Sequence, residues 1–240
     1  MRFVYLKKGV GKTISLADGE AHHLKVMRLK SEISLPGICD QELYTVRIAP
    51  DSLDGARLLS AEFVREIKSP VAPIFLVPLI EEDRLRFCVE KLCELGAAKI
   101  QFYISDHTTF NKVQVSKFTD RMLKWENLVR SSCQQCGNHN LPQVFPPVRL
   151  SEWVGAAVLA KTPEMQTENW LIAGVHGEAV SQVPVNYQVC LIGPEGDFSE
   201  SEYFLFQKLG LRCLRFEHLN ILRTETAIIS LAALKAFARV

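Results

Sequence analysis

From Pro73 onward the chain alternates two hydrophobic periods that cannot share one backbone conformation. The run "IFLVPLI" is apolar throughout and of strand length. "EDRLRFCVEKLCELG" then places Leu85, Cys88, Val89, Leu92 and Leu95 at helical spacing, and "AAKIQFYIS" is again a strand. Strand, helix and strand in that order predict a β-α-β unit. The pattern continues with a long helical stretch from about Gln114 to Cys136 and short strands near Ala157 and Trp170. After these come the strand "YQVCLIG", a helix from about Ser199, the strand "LRCLRF" and a final helix. Such alternation predicts an α/β domain with a mainly parallel sheet and ligand loops at its carboxyl edge.

Residues 1 to about 70 read differently. Short β-like runs ("LYTVRIA", "ARLLSAEFVREI") alternate with turn-rich pieces ("LADGEA", "LPGICD", "PDSLDG"), as in a small barrel or sandwich, and a short helix is expected at "HHLKVMRL". Two prolines and a serine in "IKSPVAP" mark a boundary, giving domains at 1–70 and 71–240. A length of 240 residues suits two such domains. With 28 Lys plus Arg against 27 Asp plus Glu, any basic surface for nucleic acid must be local.

No apolar run reaches the roughly 18 residues that a membrane span needs. "MRFVYLKKGV" also lacks the apolar core of a signal peptide, so a cytoplasmic protein is expected. Seven scattered cysteines suggest reduced thiols in place of disulfides. Cys133 and Cys136 in "CQQCGNH" have no second pair at zinc-ribbon spacing, so no metal site is expected.

Two glycine-containing segments invite nucleotide-binding readings that fail. In "KKGVGKTISL" the phosphate-binding pattern needs glycine at position 6, which is Leu6, and a surface hairpin turn fits better. No G-x-G-x-x-G follows a strand, so a dinucleotide-binding domain has no support.

The loop "LIGPEGDFS" is more informative. Gly193 and Gly196 permit turns and close ligand approach, Pro194 stiffens the turn, and Ser199 is a natural N-cap for the helix behind it. Glu195 and Asp197 would repel a phosphate but suit a ligand bearing positive charge, as a sulfonium does. A turn whose acids only complement the helix N-terminus fits the same residues. Near the C-terminus, "LNILRTETAIISLAAL" interrupts an apolar strand-loop-helix transition with a polar cluster that needs partners. Capping by Thr224 or Thr226, with Glu225 at the helix's positive end, accounts for all of it except Arg223.

These two segments, with "HHLKVMRLK" and "EKLCELGAAKI" in the same order and spacing, resemble the RsmE family, the 16S ribosomal RNA uridine-N3 methyltransferases that use S-adenosylmethionine. The resemblance extends over nearly the whole chain. It implies an N-terminal PUA-like β-barrel for RNA and a C-terminal SPOUT α/β domain threaded into a trefoil knot, working as a homodimer. It places the cofactor against His176, Ile192, Gly193, Glu195, Gly196, Leu219, Ile221, Leu222, Arg223, Thr224 and Thr226.

The expected partner is 16S rRNA or the assembled small ribosomal subunit. Arg223 is expected to steady negative charge on the uracil, and Glu225 or an acid of the "GPEGD" loop to accept the proton. For RNA, Lys117, Arg121 and Lys124 recur at i, i+4 and i+7, and His22, His23 and Arg28 lie in the family-like first segment.

The chain departs from the family pattern where His107 and Asn138 replace arginines, where Glu217 to Asn220 replace a leucine-glycine pair, and where Asp197 replaces a glycine. A non-catalytic RNA-binding or ribosome-assembly protein on the same scaffold is the alternative.

Overall fold

The computed structural model describes residues 2–71, 73–109, 112–182, 184–216 and 221–238. They form two compact units, Met1–Ser69 with Ser131–Asn140, and Pro70–Arg130 with Leu141–Val240.

In the first unit, strands β1 (Val4–Lys8), β2 (Ile14–Leu16), β3 (Ile33–Cys39), β4 (Glu42–Asp51) and β5 (Gly55–Glu66) make a sheet of order β2-β1-β3-β4-β5. It is antiparallel except where β1 runs parallel to β3. Along β4, buried Tyr44, Val46 and Ile48 alternate with exposed Thr45 and Arg47, so one face builds the core with Val4, Leu6 and Leu24. Leu24 comes from helix α1 (Glu20–Val26), the short helix expected from "HHLKVMRL".

"LPGICD" proves to be mostly strand, not turn. The ladder from β1 to β3 begins at Gly37, one residue past Pro36, and a side chain at Gly37 would meet Leu6 and Val46 within 2.8 Å. The failed phosphate-loop segment is a 3-10 turn at Val10–Lys12 between β1 and β2.

A boundary at residue 70 does not capture Ser131–Asn140, which completes the first unit. The Gln134 side-chain amide donates to the Phe3 carbonyl at 3.0 Å and to both oxygens of buried Glu20, and the His139 ring meets Phe3 edge-on.

The second unit has a wholly parallel sheet of order β11-β9-β10-β6-β7-β8. Its strands are β6 (Ile74–Pro78), β7 (Lys99–Ile104), β8 (Gln143–Arg149), β9 (Trp170–Val180), β10 (Val189–Ile192) and β11 (Cys213–Phe216). Every residue of β6 and β10 is buried, which explains their unbroken apolar runs. Helix α2 (Glu82–Glu94) joins β6 to β7, burying Leu85, Cys88, Val89 and Leu92, and ends before Gly96 at φ 77°.

Three expectations change here. The stretch from Gln114 to Cys136 is two helices, α3 (Lys112–Thr119) and α4 (Met122–Cys136). On one straight helix Phe118 and Trp125 would sit about 10 Å apart along the axis. The break stacks their rings at 5.1 Å against Phe102. Ala157 lies not in a strand but in α5 (Leu150–Ala160), where Leu150, Val154 and Ala157 form the buried stripe. The strand is β8, hidden from sequence by Pro146 and Pro147, which the sheet tolerates at its edge. Helices α6 (Glu200–Lys208) and α7 (Thr224–Phe237) complete the unit.

Gly177 of β9 runs so close to β11 that a side chain would lie 2.5 to 2.8 Å from the backbone of Leu214. Gly177→Ala should therefore cost roughly 1–3 kcal/mol in urea unfolding. Gly155→Ala, on α5 with open space around it, should gain about 0.5–1 kcal/mol.

Candidate functional site

The loop after β10 is fixed from several directions. Burial of β10 leaves its terminal polar groups without water, and each finds a protein partner. The Tyr103 hydroxyl donates to the Ile192 carbonyl at 2.5 Å, Gly193 N–H donates to Ala173, and the Thr224 hydroxyl donates to the Gly193 carbonyl at 3.0 Å. Thr224 therefore does not cap α7, as one sequence reading had it. It joins the "LRTETA" segment to the "GPEGD" loop. Behind the loop, Ser199 caps α6 as expected, in a reciprocal capping box with Glu202. Buried Glu202 also accepts from Ser105 Oγ at 2.9 Å and Asp106 N–H at 3.1 Å, which fastens the loop after β7 to the start of α6.

These segments enclose a cavity of about 770 Å³. Its walls are Ala173 to Gly177 of β9, Ile192 to Glu195 with Asp197, Leu214 to Phe216 of β11, and Ile221 to Thr224 with Ala227. Apolar side chains, backbone edges, two acids and two exposed arginines, Arg215 and Arg223, therefore face one space. Among the described residues no group of His, Cys, Asp and Glu is arranged to hold a metal.

Of the residues expected at a cofactor site, His176, Ile192, Gly193, Glu195, Ile221, Leu222, Arg223 and Thr224 line the cavity. Gly196 lies behind the wall, packed against His107, and Thr226 is exposed on α7. Leu219 lies outside the described residues. His107 shares its Nδ1–H between the carbonyls of Gly196 (2.8 Å) and Asp197 (2.9 Å), and these contacts, Asp197's first, raise its pKa.

Arg84 of α2, which sequence reasoning missed, reaches Glu195 with one terminal nitrogen and Glu225 with the other. Burial pushes the Glu225 carboxyl up, but the Arg84 guanidinium, the backbone N–H of Glu225 and the charge of Arg223 together outweigh it and hold the group below its ordinary value. Glu225 is thus engaged by Arg84 and is not among the cavity-lining residues. Arg84 had no local signal, since its partners lie 111 and 141 residues away.

Asp197 adopts φ 58°, a left-handed conformation that glycine takes freely and aspartate tolerates. Its carboxylate accepts Val175 N–H at 3.1 Å and the Tyr203 hydroxyl at 2.7 Å. Burial first, and then donation to Asp197, raise the Tyr203 pKa.

The residues expected to bind RNA lie on separate elements. His22 and His23 on α1, and Arg28 just after it, are exposed on the first unit. Lys117, Arg121 and Lys124 do not share one helical face, because the helix breaks between Lys117 and Lys124. Both Arg121 and Lys124 ion-pair with Glu82.

Residues 68–236 match the RNA methyltransferase domain family. The chain is 26% identical to ribosomal RNA small subunit methyltransferase E of Buchnera aphidicola subsp. Schizaphis graminum, over 92% of this chain and 89% of the relative. It is 24% identical to the Aquifex aeolicus protein of the same name over 98% of each. The crystal structure of a ribosomal RNA small subunit methyltransferase E from Neisseria gonorrhoeae, bound to S-adenosyl methionine, superposes with a TM-score of 0.75 at 26% identity, covering 99% of this chain and 98% of that one. The fold is accordingly a PUA-like barrel followed by a SPOUT domain. With matching family, fold and length, the chain belongs to the RNA methyltransferase domain family and, within it, to the small-subunit ribosomal RNA methyltransferases E.

Proposed function

We propose that this chain methylates N3 of a uridine in 16S rRNA of the small ribosomal subunit, with S-adenosylmethionine as donor. The observation that carries the reading is the cavity shared by the "GPEGD" loop and the "LRTETA" segment, joined by the Thr224 hydroxyl bond to Gly193. Its volume and its mixture of apolar and acidic lining fit a ligand with an adenine ring and a positive centre. His176, Ile192, Gly193, Glu195, Ile221, Leu222 and Thr224 would hold it. When bound, it supplies a methyl group on a positively charged sulfur.

The residues around it then have separate tasks. A uracil N3 must lose its proton, and Arg223, exposed in the cavity, steadies the resulting negative charge on the base. The same edge pairs in duplex RNA, so the base arrives unpaired or flipped out. A general base needs free lone pairs within reach of the substrate. Arg84 holds one oxygen of each acid, but Glu225 is 12% exposed and off the cavity wall, so in this reading it is a positioning residue, whereas Glu195 is 60% exposed on that wall and is the acid that faces the substrate. His22, His23 and Arg28 of the first unit meet the RNA backbone. A homodimer fits the exposed Phe204, Leu234 and Phe237 of the second unit, whose apolar surface a second copy would cover. Seven cysteines that form no disulfide agree with a cytoplasmic setting.

Calorimetry with S-adenosylmethionine and mass mapping of 16S rRNA from a deletion strain test the reading together. Binding and a missing methyl-uridine are expected, whereas RNA binding without cofactor binding would point to a non-catalytic assembly role. Arg223→Ala should lower kcat/KM by about 100-fold while cofactor affinity stays within about threefold.

If Glu225 acts through Arg84, then Arg84→Gln, Glu225→Gln and the double variant should lose similar activity, so the two effects do not add. Because its folded pKa is lowered, Glu225 stabilises the protein above the unfolded value and loses that contribution as pH falls through the folded one. Removing Arg84 leaves burial opposed only by the backbone N–H and by Arg223, so Arg84→Gln should unfold at a higher pH in acid titration than the unaltered chain.

A further inference from the structure

At the cavity, β9 parts from both its neighbours. β10 accompanies it only as far as Ala173, opposite Ile192, and the β11 ladder jumps from Ile172 opposite Cys213 to Glu178 opposite Leu214. The amides of Val175 and His176 on the intervening wall are met by side chains instead. Val175 N–H donates to both oxygens of Asp197, His176 N–H donates to the Tyr203 oxygen at 3.2 Å, and Tyr203 donates in turn to Asp197. Asp197 and Tyr203 together stand in for a missing strand.

Those contacts explain the place of the side chain but not its charge. Asp197 is 8% exposed and lines the cavity, yet among the described residues its carboxylate pairs with no Lys, Arg or His. Its donors are a neutral amide and a neutral phenol. Glu195 and Glu225 nearby have Arg84 between them. A buried carboxylate with no cation is costly unless a positive group arrives from elsewhere. Gly174 and Gly193 flank it, and a side chain at either would come within 2.9 Å of its Oδ1, so nothing bulkier than backbone stands there.

We infer that Asp197 is a specificity-determining residue whose carboxylate supplies the counter-charge for the sulfonium of the methyl donor, favouring it over the neutral thioether product. The inference rests on the proposed function. Donor and product share the adenosine and amino-acid portions and differ by one methyl group and one positive charge at sulfur. A charge in the cavity wall is therefore what can separate them.

The experiment is calorimetric titration of the full-length protein with S-adenosylmethionine and with S-adenosylhomocysteine. Asp197→Asn keeps an acceptor for Val175 and tolerates the left-handed backbone, but removes the charge. It should weaken donor binding by about tenfold, the scale of one charge pair at reduced dielectric, and leave product binding nearly unchanged. Tyr203→Phe removes the brace and keeps the charge, so it should weaken both ligands by a similar factor.

Asp197→Gly, at ease with the same φ, provides a second neutral variant should the asparagine protein not fold, and its ratio of affinities must fall alike. An unchanged ratio in the neutral variants, or equal weakening of both ligands, overturns the inference and leaves Asp197 as a brace. Failure of the unaltered protein to bind either ligand would overturn the proposed function itself.

Discussion

A parallel sheet covered on both faces hides the polar groups at its strand ends from water, and each then needs a partner from the protein. Much of the second unit's site follows from meeting that need around β10. Tyr103 reaches across from β7, Ala173 from β9 and Thr224 from α7, so the loop after β10 is held by three elements before any ligand enters. Glu202 repeats the solution one turn later, satisfying its own helix start and the loop after β7 with a single carboxylate. The cavity is shaped by hydrogen bonds that folding already required.

The acids of the "GPEGD" loop show how one local charge pattern can divide into unlike roles. From sequence, Glu195 and Asp197 are two negative charges at a helix start, and either a ligand or a helix dipole accounts for them. In the folded chain one is shared with an arginine of α2 and the other turns inward to amide and phenol donors. Glu225, the third acid, is drawn away from the cavity by the same arginine. The distribution of charge is decided by Arg84, whose position was set by the helical period of a segment more than a hundred residues earlier.

What could be read in the sequence was local and periodic. The α2 stripe, the fully buried strands β6 and β10 and the Ser199 cap all follow from spacings of a few residues. β8 was obscured because its prolines signal a break, and only its edge position makes them acceptable. In α5 an apolar helix without strong amphipathicity imitates a strand. The split between α3 and α4 depends on ring packing against Phe102, which no window of sequence contains. At the site, the residues inside the two motifs were visible, whereas Arg84, Tyr203 and the β9 wall required the fold to bring them in.

The segment Ser131–Asn140 has a consequence for how the chain is made. The first unit is finished by residues that lie in sequence beyond α2, β7 and α3, and Glu20 and Phe3 meet Gln134 only after that stretch exists. During synthesis from the N-terminus, the β-rich unit cannot close its final contacts when residue 69 emerges from the ribosome. It must wait, with that corner of its core open to solvent, until about twice that length of chain has been translated.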